Sequence, residues 1–233
     1  MSSILMVVTA ATSLTLADGT EHPTGFWAEE LVVAHRDLLA AGHTITFATP
    51  GGIRPRPDQG SLSAAVVGDE TRVAEFEAYL ASIDAELTHP VDLTDVTAAD
   101  YDAVVLPGGH GPMADLAFDT DLGRILADAD GAGTIIAPFC HGPAGLLSAT
   151  RADGSFVFSG RRLTVFTDEE EFAGGTGAQS PWFVERTLAE RGAIIESGPA
   201  WSSHVVRDRN LISGQNPQSS EAVATAVIEA LAK

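Results

Sequence analysis

The sequence predicts a single-domain three-layer α/β/α sandwich with a mainly parallel sheet. Short, fully apolar runs alternate with longer segments whose apolar residues recur at helical spacing. Several of those runs end in glycine- or proline-rich turns, the punctuation expected where a buried strand hands over to a helix. Strands that are apolar on both sides need cover on both faces, which antiparallel meanders do not provide. The 233 residues contain no internal repeat, low-complexity tract or linker, so residues 1–233 are expected to form one domain.

Residues 3–9 (SILMVVT) are the first expected strand, followed by a long loop over 9–25. Residues 27–41 carry Trp27, Leu31, Val32, Leu38 and Leu39 among polar neighbours and stop at Gly42, a helix with its terminator. Residues 44–49 (TITFAT) form the second strand, closed by Pro50-Gly51-Gly52, and 50–60 read as a surface loop. A helix is expected over 73–83. Strand 101–106 (YDAVVL) runs into Pro107-Gly108-Gly109-His110-Gly111, helix 119–129 follows, then strand 134–139 (TIIAPF) and a short helix over 141–149. In the tail, 162–166 and 193–196 read as strands flanking a helix over 181–191. Residues 204–213 read as a hairpin turning at 208–210. Residues 219–232 form a closing helix with Ser219 or Ser220 as N-cap.

Thirteen Lys and Arg stand against 32 Asp and Glu, a net charge of −19. Such a surface repels phosphate backbones and anionic lipid, so neither nucleic acid nor membrane is an expected partner. No apolar run reaches the ~18 residues of a membrane span. The N-terminal residues lack the basic region of a signal peptide, and the single cysteine, Cys140, has no partner for an internal disulfide. A soluble cytoplasmic protein is the expectation.

Open α/β sheets form their sites beyond the carboxyl ends of strands. Cys140 sits there, between TIIAPF and His141-Gly142-Pro143, where a strand–turn–helix bend presents a nucleophile. A helix N-terminus at this point is expected to lower the thiol pKa. Glu29 and Glu30 open the first helix about 100° apart, so at most one faces the sheet, where burial raises a carboxyl pKa and suits it to move protons. Gly109 and its neighbours follow a buried strand and allow backbone N–H groups to hold an oxyanion. The acidic run 167–171 reads as a solvated loop, one member of which can orient His141. No P-loop, dinucleotide loop, His-Glu-x-x-His or Cys-x-x-Cys spacing is present, so neither a metal nor another cofactor is expected.

With these residues in place the chain resembles the ThiJ/PfpI superfamily, and within it the glyoxalase III and heat-shock chaperone branch. The resemblance rests on Thr24-Gly-Phe-Trp-Ala-Glu-Glu30, Ala48-Thr-Pro-Gly-Gly52, Leu106-Pro-Gly-Gly-His-Gly111, Phe139-Cys-His-Gly-Pro143, Leu163-Thr-Val-Phe-Thr-Asp-Glu-Glu-Glu171 and Val205-Val-Arg-Asp-Arg-Asn-Leu-Ile-Ser-Gly-Gln-Asn-Pro217. These motifs span nearly the whole chain. The resemblance implies a flavodoxin-like, class I glutamine amidotransferase-like fold. It implies Cys140 as nucleophile with His141 beside it, Glu30 (or Glu29) as the acid at the cysteine, and Glu171 (or Glu169 or Glu170) as the third acidic member. Gly109 and His110 match the loop that supplies backbone donors to the substrate oxygen. Glutamine hydrolysis is disfavoured, because Pro138 and Gly142 flank the elbow and His204 is followed by Val205-Val206.

The resemblance further implies a cofactor-independent enzyme that turns methylglyoxal or a similar small dicarbonyl into a 2-hydroxy acid such as D-lactate, in a homodimer. Two alternatives stand beside it. One is a stress-related holding chaperone or redox sensor. The other is a cysteine-dependent hydrolase at the same thiol (protein deglycase, peptidase or isonitrile hydratase).

Overall fold

The computed structural model describes all residues, 1–233. Its main sheet has seven strands. In chain order the elements are β1 (Ser3–Val7), β2 (Ser13–Thr15), β3 (Glu21–Pro23), α1 (Ala28–Ala40), β4 (Thr44–Thr49), α2 (Ala64–Val67), α3 (Glu70–Ser82), α4 (Asp84–Thr88), β5 (Val91–Asp92), β6 (Ala103–Leu106), α5 (Thr120–Ala132) and β7 (Ile135–Pro138). Then come β8 (Arg162–Leu163), α6 (Asp168–Gly174), α7 (Val184–Glu190), β9 (Ile194–Ile195), β10 (Val205–Asp208), β11 (Leu211–Gly214) and α8 (Ser220–Leu231). The spatial order is β10-β11-β7-β6-β1-β4-β5, parallel except for the β10–β11 hairpin.

The apolar runs work as expected because alternate residues face opposite layers. Leu5, Val104 and Ile136 enter one core with Leu122, Ile125 and Leu126 of α5 and Leu188 of α7. Ile4, Met6, Val105 and Ala137 enter the other with Leu31, Ala34 and Leu38 of α1 and Val223 and Val227 of α8. Helices therefore cover both faces, as the sequence predicts. From β1 the chain crosses to β4 on one side, and it returns to β6 on the other. The carboxyl ends of β1 and β6 thus flank a topological switch point. No helix is long and apolar enough to cross a membrane.

Several local expectations are corrected. The 9–25 loop contains the β2–β3 hairpin, whose turn carries Asp18-Gly19 with Gly19 at φ 84°. The 50–60 loop is not purely superficial: Asp58 is buried, and the segment pairs with the chain before α1 through Phe26 N–H to Arg56 O (3.0 Å) and Asp58 N–H to Phe26 O (2.8 Å). Residues 142–148 wind as 3-10 turns rather than an α-helix. β8 and β9 pair only with each other and stay outside the main sheet, because Ser213 Oγ, not a strand backbone, takes the Thr164 N–H (2.8 Å). Helix α8 is preceded by Ser219, yet that hydroxyl bonds His204 O (3.1 Å) instead of capping. The acidic run 167–171 is not a loop: Thr167 and Glu170 close a capping box, and the run starts α6.

Arg161, almost wholly buried, ties the segment before β8 to α5 and the β10–β11 hairpin through ion pairs to Asp130 and Asp208 and a hydrogen bond to Asn210 Oδ1 (3.0 Å). Its removal strands partly buried carboxylates. Arg161→Met is expected to lower the unfolding free energy by about 3–5 kcal/mol in urea titrations; a loss of under about 1 kcal/mol contradicts the tie.

Candidate active site

Cys140 lies at the end of β7 with φ 56°, a left-handed conformation that side chains rarely adopt. The bend is held on both sides: Cys140 N–H donates to Gly214 O (3.0 Å), and Cys140 O accepts Phe166 N–H (2.9 Å). Glycine at 108 and 142 lets the loops close here. A Cβ on Gly108 would lie 2.6 Å from His141 N, and one on Gly142 would overlap Leu106 O.

The adjacent histidine does face the sulfur. Cys140 Sγ lies 3.3 Å from His141 Nδ1, and His141 Nε2 lies 2.8 Å from Glu171 Oε2. Among the three acids of the run, Glu169 is exposed. Glu170 is occupied with Thr167, the Trp201 N–H (2.7 Å) and Asn216 Nδ2 (2.8 Å). Glu171 faces the site, where it also takes His110 Nε2 (3.1 Å) and both donors of Thr176. Burial alone would raise the Glu171 pKa, but the donors from His110 and His141 hold it well below the ordinary carboxylate range. An ionised Glu171 only accepts, so His141 presents N–H at Nε2 and leaves the Nδ1 lone pair toward the thiol. Burial, reinforced by His110, lowers the His141 pKa and keeps the ring neutral.

Glu30 projects from the buried face of α1 to the other side of Cys140. Its Oε2 accepts Gly108 N–H (2.6 Å), its buried Oε1 has no hydrogen-bond partner, and the carboxyl and the Cys140 thiol are near enough to shift each other's ionisation. Glu29 points elsewhere, into an ion pair with Arg72. Burial pushes Glu30 up to about 8, so the carboxyl keeps its proton at neutral pH.

The expected depression of the thiol pKa is overturned. Burial, then the adjacent Glu30 carboxyl, push Cys140 well above its ordinary value, against the smaller pull of the Gly109 and His141 amides. Those two amides, Gly109 and His141, bear on the sulfur, while His110 enters the site through its ring.

A cavity of about 290 Å³ opens above Cys140, walled by Trp27, Phe166, Trp201, Val66 and Arg72. Sequence reasoning missed Trp201, Arg72 and Thr176. The Thr167-x-x-Glu170 spacing was the available signal for α6, and so for the placement of Glu171 and Thr176.

A model of the DJ-1/PfpI family matches residues 22–230. Among curated proteins, the chain is 31% identical over 183 residues to a bovine (Bos taurus) "glutamine amidotransferase-like class 1 domain-containing protein 1", covering 78% of each. It is 28% identical over 249 residues to the protein/nucleic acid deglycase HchA of Pseudomonas aeruginosa, covering 99% of this chain and 82% of that one. A crystal structure of glyoxalase III from Candida albicans shares the fold, with a TM-score of 0.81 at 23% identity over 98% and 97% of the two chains.

Because Glu30 holds its proton to about pH 8 while an unfolded glutamate releases it near 4.5, folding binds a proton between those values. Stability due to this group is therefore full below pH 4.5 and is lost progressively as pH rises to 8. Glu30→Gln is expected to stabilise the protein at pH 8, with a ceiling of about 5 kcal/mol, and to do little at pH 4. Equal thermal midpoints of the two proteins at pH 8 contradict the buried, raised carboxyl.

Proposed function

The chain belongs to the DJ-1/PfpI family, and on that premise we propose that residues 1–233 act as one domain, a cysteine-dependent enzyme of the glyoxalase III type. Its substrate is methylglyoxal or a similar small dicarbonyl, and its product a 2-hydroxy acid such as D-lactate. The observation that carries this reading is the buried sulfur of Cys140, with neutral His141 at 3.3 Å on one side and protonated Glu30 on the other.

The chemistry follows from where the protons lie. As the aldehyde carbon meets the sulfur, the thiol proton passes to His141 Nδ1, and Glu171 stabilises the resulting imidazolium. The C–S bond forms, and Glu30 gives its proton to the carbonyl oxygen, which the Gly109 and His141 amides can also hold. Glu30, now a carboxylate, takes the proton from C1 of the hemithioacetal while the His141 imidazolium protonates the C2 oxygen, giving an enediol; Glu30 then delivers its proton to C2 and His141 takes the proton of the C1 hydroxyl. The product is a 2-hydroxy thioester. Water attacks it, losing a proton to the Glu30 carboxylate while His141 returns its proton to the sulfur, which releases the acid and regenerates both the thiol and the protonated Glu30. One water is added to one dicarbonyl, with no net oxidation.

A second reading, a deglycase, has support from the 28% identity to HchA of P. aeruginosa. It uses the same thiol, and peptide-borne substrates would have to pass the Trp27 and Trp201 rims of the 290 Å³ cavity.

Purified protein is expected to convert methylglyoxal to lactate, with Cys140→Ala inactive and Glu30→Gln or Glu171→Gln slowed roughly 10²–10⁴-fold. The value of kcat/KM is expected to fall as pH rises past about 8, where free Glu30 loses the proton it must donate. Wild-type turnover by Cys140→Ala contradicts the proposal. The reading takes the working form as a homodimer, so sedimentation is expected to report twice the chain's 24.2 kDa; a single-chain mass contradicts it.

A further inference from the structure

Beside Cys140, His141 and Glu171, a strand and two loops that are remote in sequence bring His22 of β3, Asp58 and His110 together, with one ligand-type atom of each within 4.8 Å of the others. The His110 ring links this group to the site, since its Nε2 lies 3.1 Å from Glu171 Oε1. With Glu171 ionised, His110 must present N–H at that nitrogen, and a neutral ring then carries its lone pair on Nδ1. His110 makes no other side-chain hydrogen bond, and the His22 ring makes none at all. The two rings meet edge to face at 5.6 Å. Asp58 is buried and fixed by Thr24 Oγ1 (2.8 Å) and Gly60 N–H (2.7 Å), so its carboxylate is already oriented.

We infer that His22, Asp58 and His110 form a binding site for a divalent transition-metal cation of the zinc type, distinct from the Cys140 nucleophile. Two imidazoles and one carboxylate are a donor set that zinc takes at about 2.0–2.2 Å, which puts tetrahedral ligand atoms about 3.3 Å apart. The partly exposed His22 ring, on a short hairpin, is the group free to close the remaining distance. The histidine–carboxylate contact between His110 and Glu171 matches the support that metal-bound histidines ordinarily have behind them. The absence of a local metal motif is no obstacle, because the ligands come from three segments. A bound ion would staple the β2–β3 hairpin and the 55–60 segment to the Gly108–Gly109–His110 loop. The site does not rest on the proposed reaction, and its failure would leave that reaction untouched.

Zinc binding by competition with a chromophoric chelator tests it in Cys140→Ala, which removes the thiol as a ligand. One Zn²⁺ per chain is expected, with a raised thermal midpoint. Adding His22→Gln, or separately Asp58→Asn, is expected to weaken binding at least ~100-fold and abolish the midpoint rise, whereas adding His141→Ala leaves both intact. His110, His141 and Glu171 also lie close enough to share an ion. Binding that survives His22→Gln and is lost with His141→Ala would put the ion in that cluster and overturn the inference. Absence of stoichiometric binding in Cys140→Ala would overturn it too.

Discussion

Cys140 holds a left-handed backbone at the end of β7, which costs an ordinary residue about 1–2 kcal/mol, so its surroundings must over-determine it. Gly214 O and Phe166 N–H hold the two sides of the bend. The close approach of Gly108 and Gly142 leaves no room for side chains on the neighbouring loop. The consequence is orientation. With the cysteine pinned in this way, its sulfur lies between a helix-borne carboxyl and the histidine that follows it in sequence, an arrangement that adjacent residues in a strand or helix do not reach.

The electrostatics follow from burial more than from any helix dipole. Glu30, Cys140 and His141 are all desolvated, and each is biased toward its neutral form. Glu171 is the exception, since four donors from His110, His141 and Thr176 compensate its charge. The resting site thus stores its protons on the thiol and on Glu30, with one fixed negative charge behind the histidine. Such an arrangement favours charge separation only when an electrophile arrives and keeps the thiol unreactive in its absence.

Much of this was legible in the sequence because the strand ends and their glycines are local signals. The elbow at Cys140, the Gly109 loop and the succession of buried strands and helices along the chain all follow from short local patterns. The choice between Glu29 and Glu30 was not legible, since it depends on the rotation of α1 against the sheet. Arg72, 43 residues from Glu29, claims the first of the pair. The thiol pKa was misread because burial, followed by the adjacent Glu30 carboxyl, outweighs the pull of the Gly109 and His141 amides, and neither is visible from the residues around Cys140 alone. Likewise β8 carries the pattern of a core strand but pairs with only the two residues of β9, and no residue count reveals that β11 is already flanked by β7 and β10. The β2–β3 hairpin and the capping box of α6 did leave signals, in Asp18-Gly19 and Thr167-x-x-Glu170, that outweigh the loop-like composition around them.

In the resting protein a neutral Glu30 and a protonated Cys140 face each other. Infrared difference spectra of wild-type against Glu30→Gln protein, recorded with thiolate absorbance across pH 5–10, test it directly. The account predicts a protonated carboxyl band that persists to about pH 8 and no thiolate at pH 7. An ionised Glu30 at pH 6, or a thiolate already formed there, would contradict it.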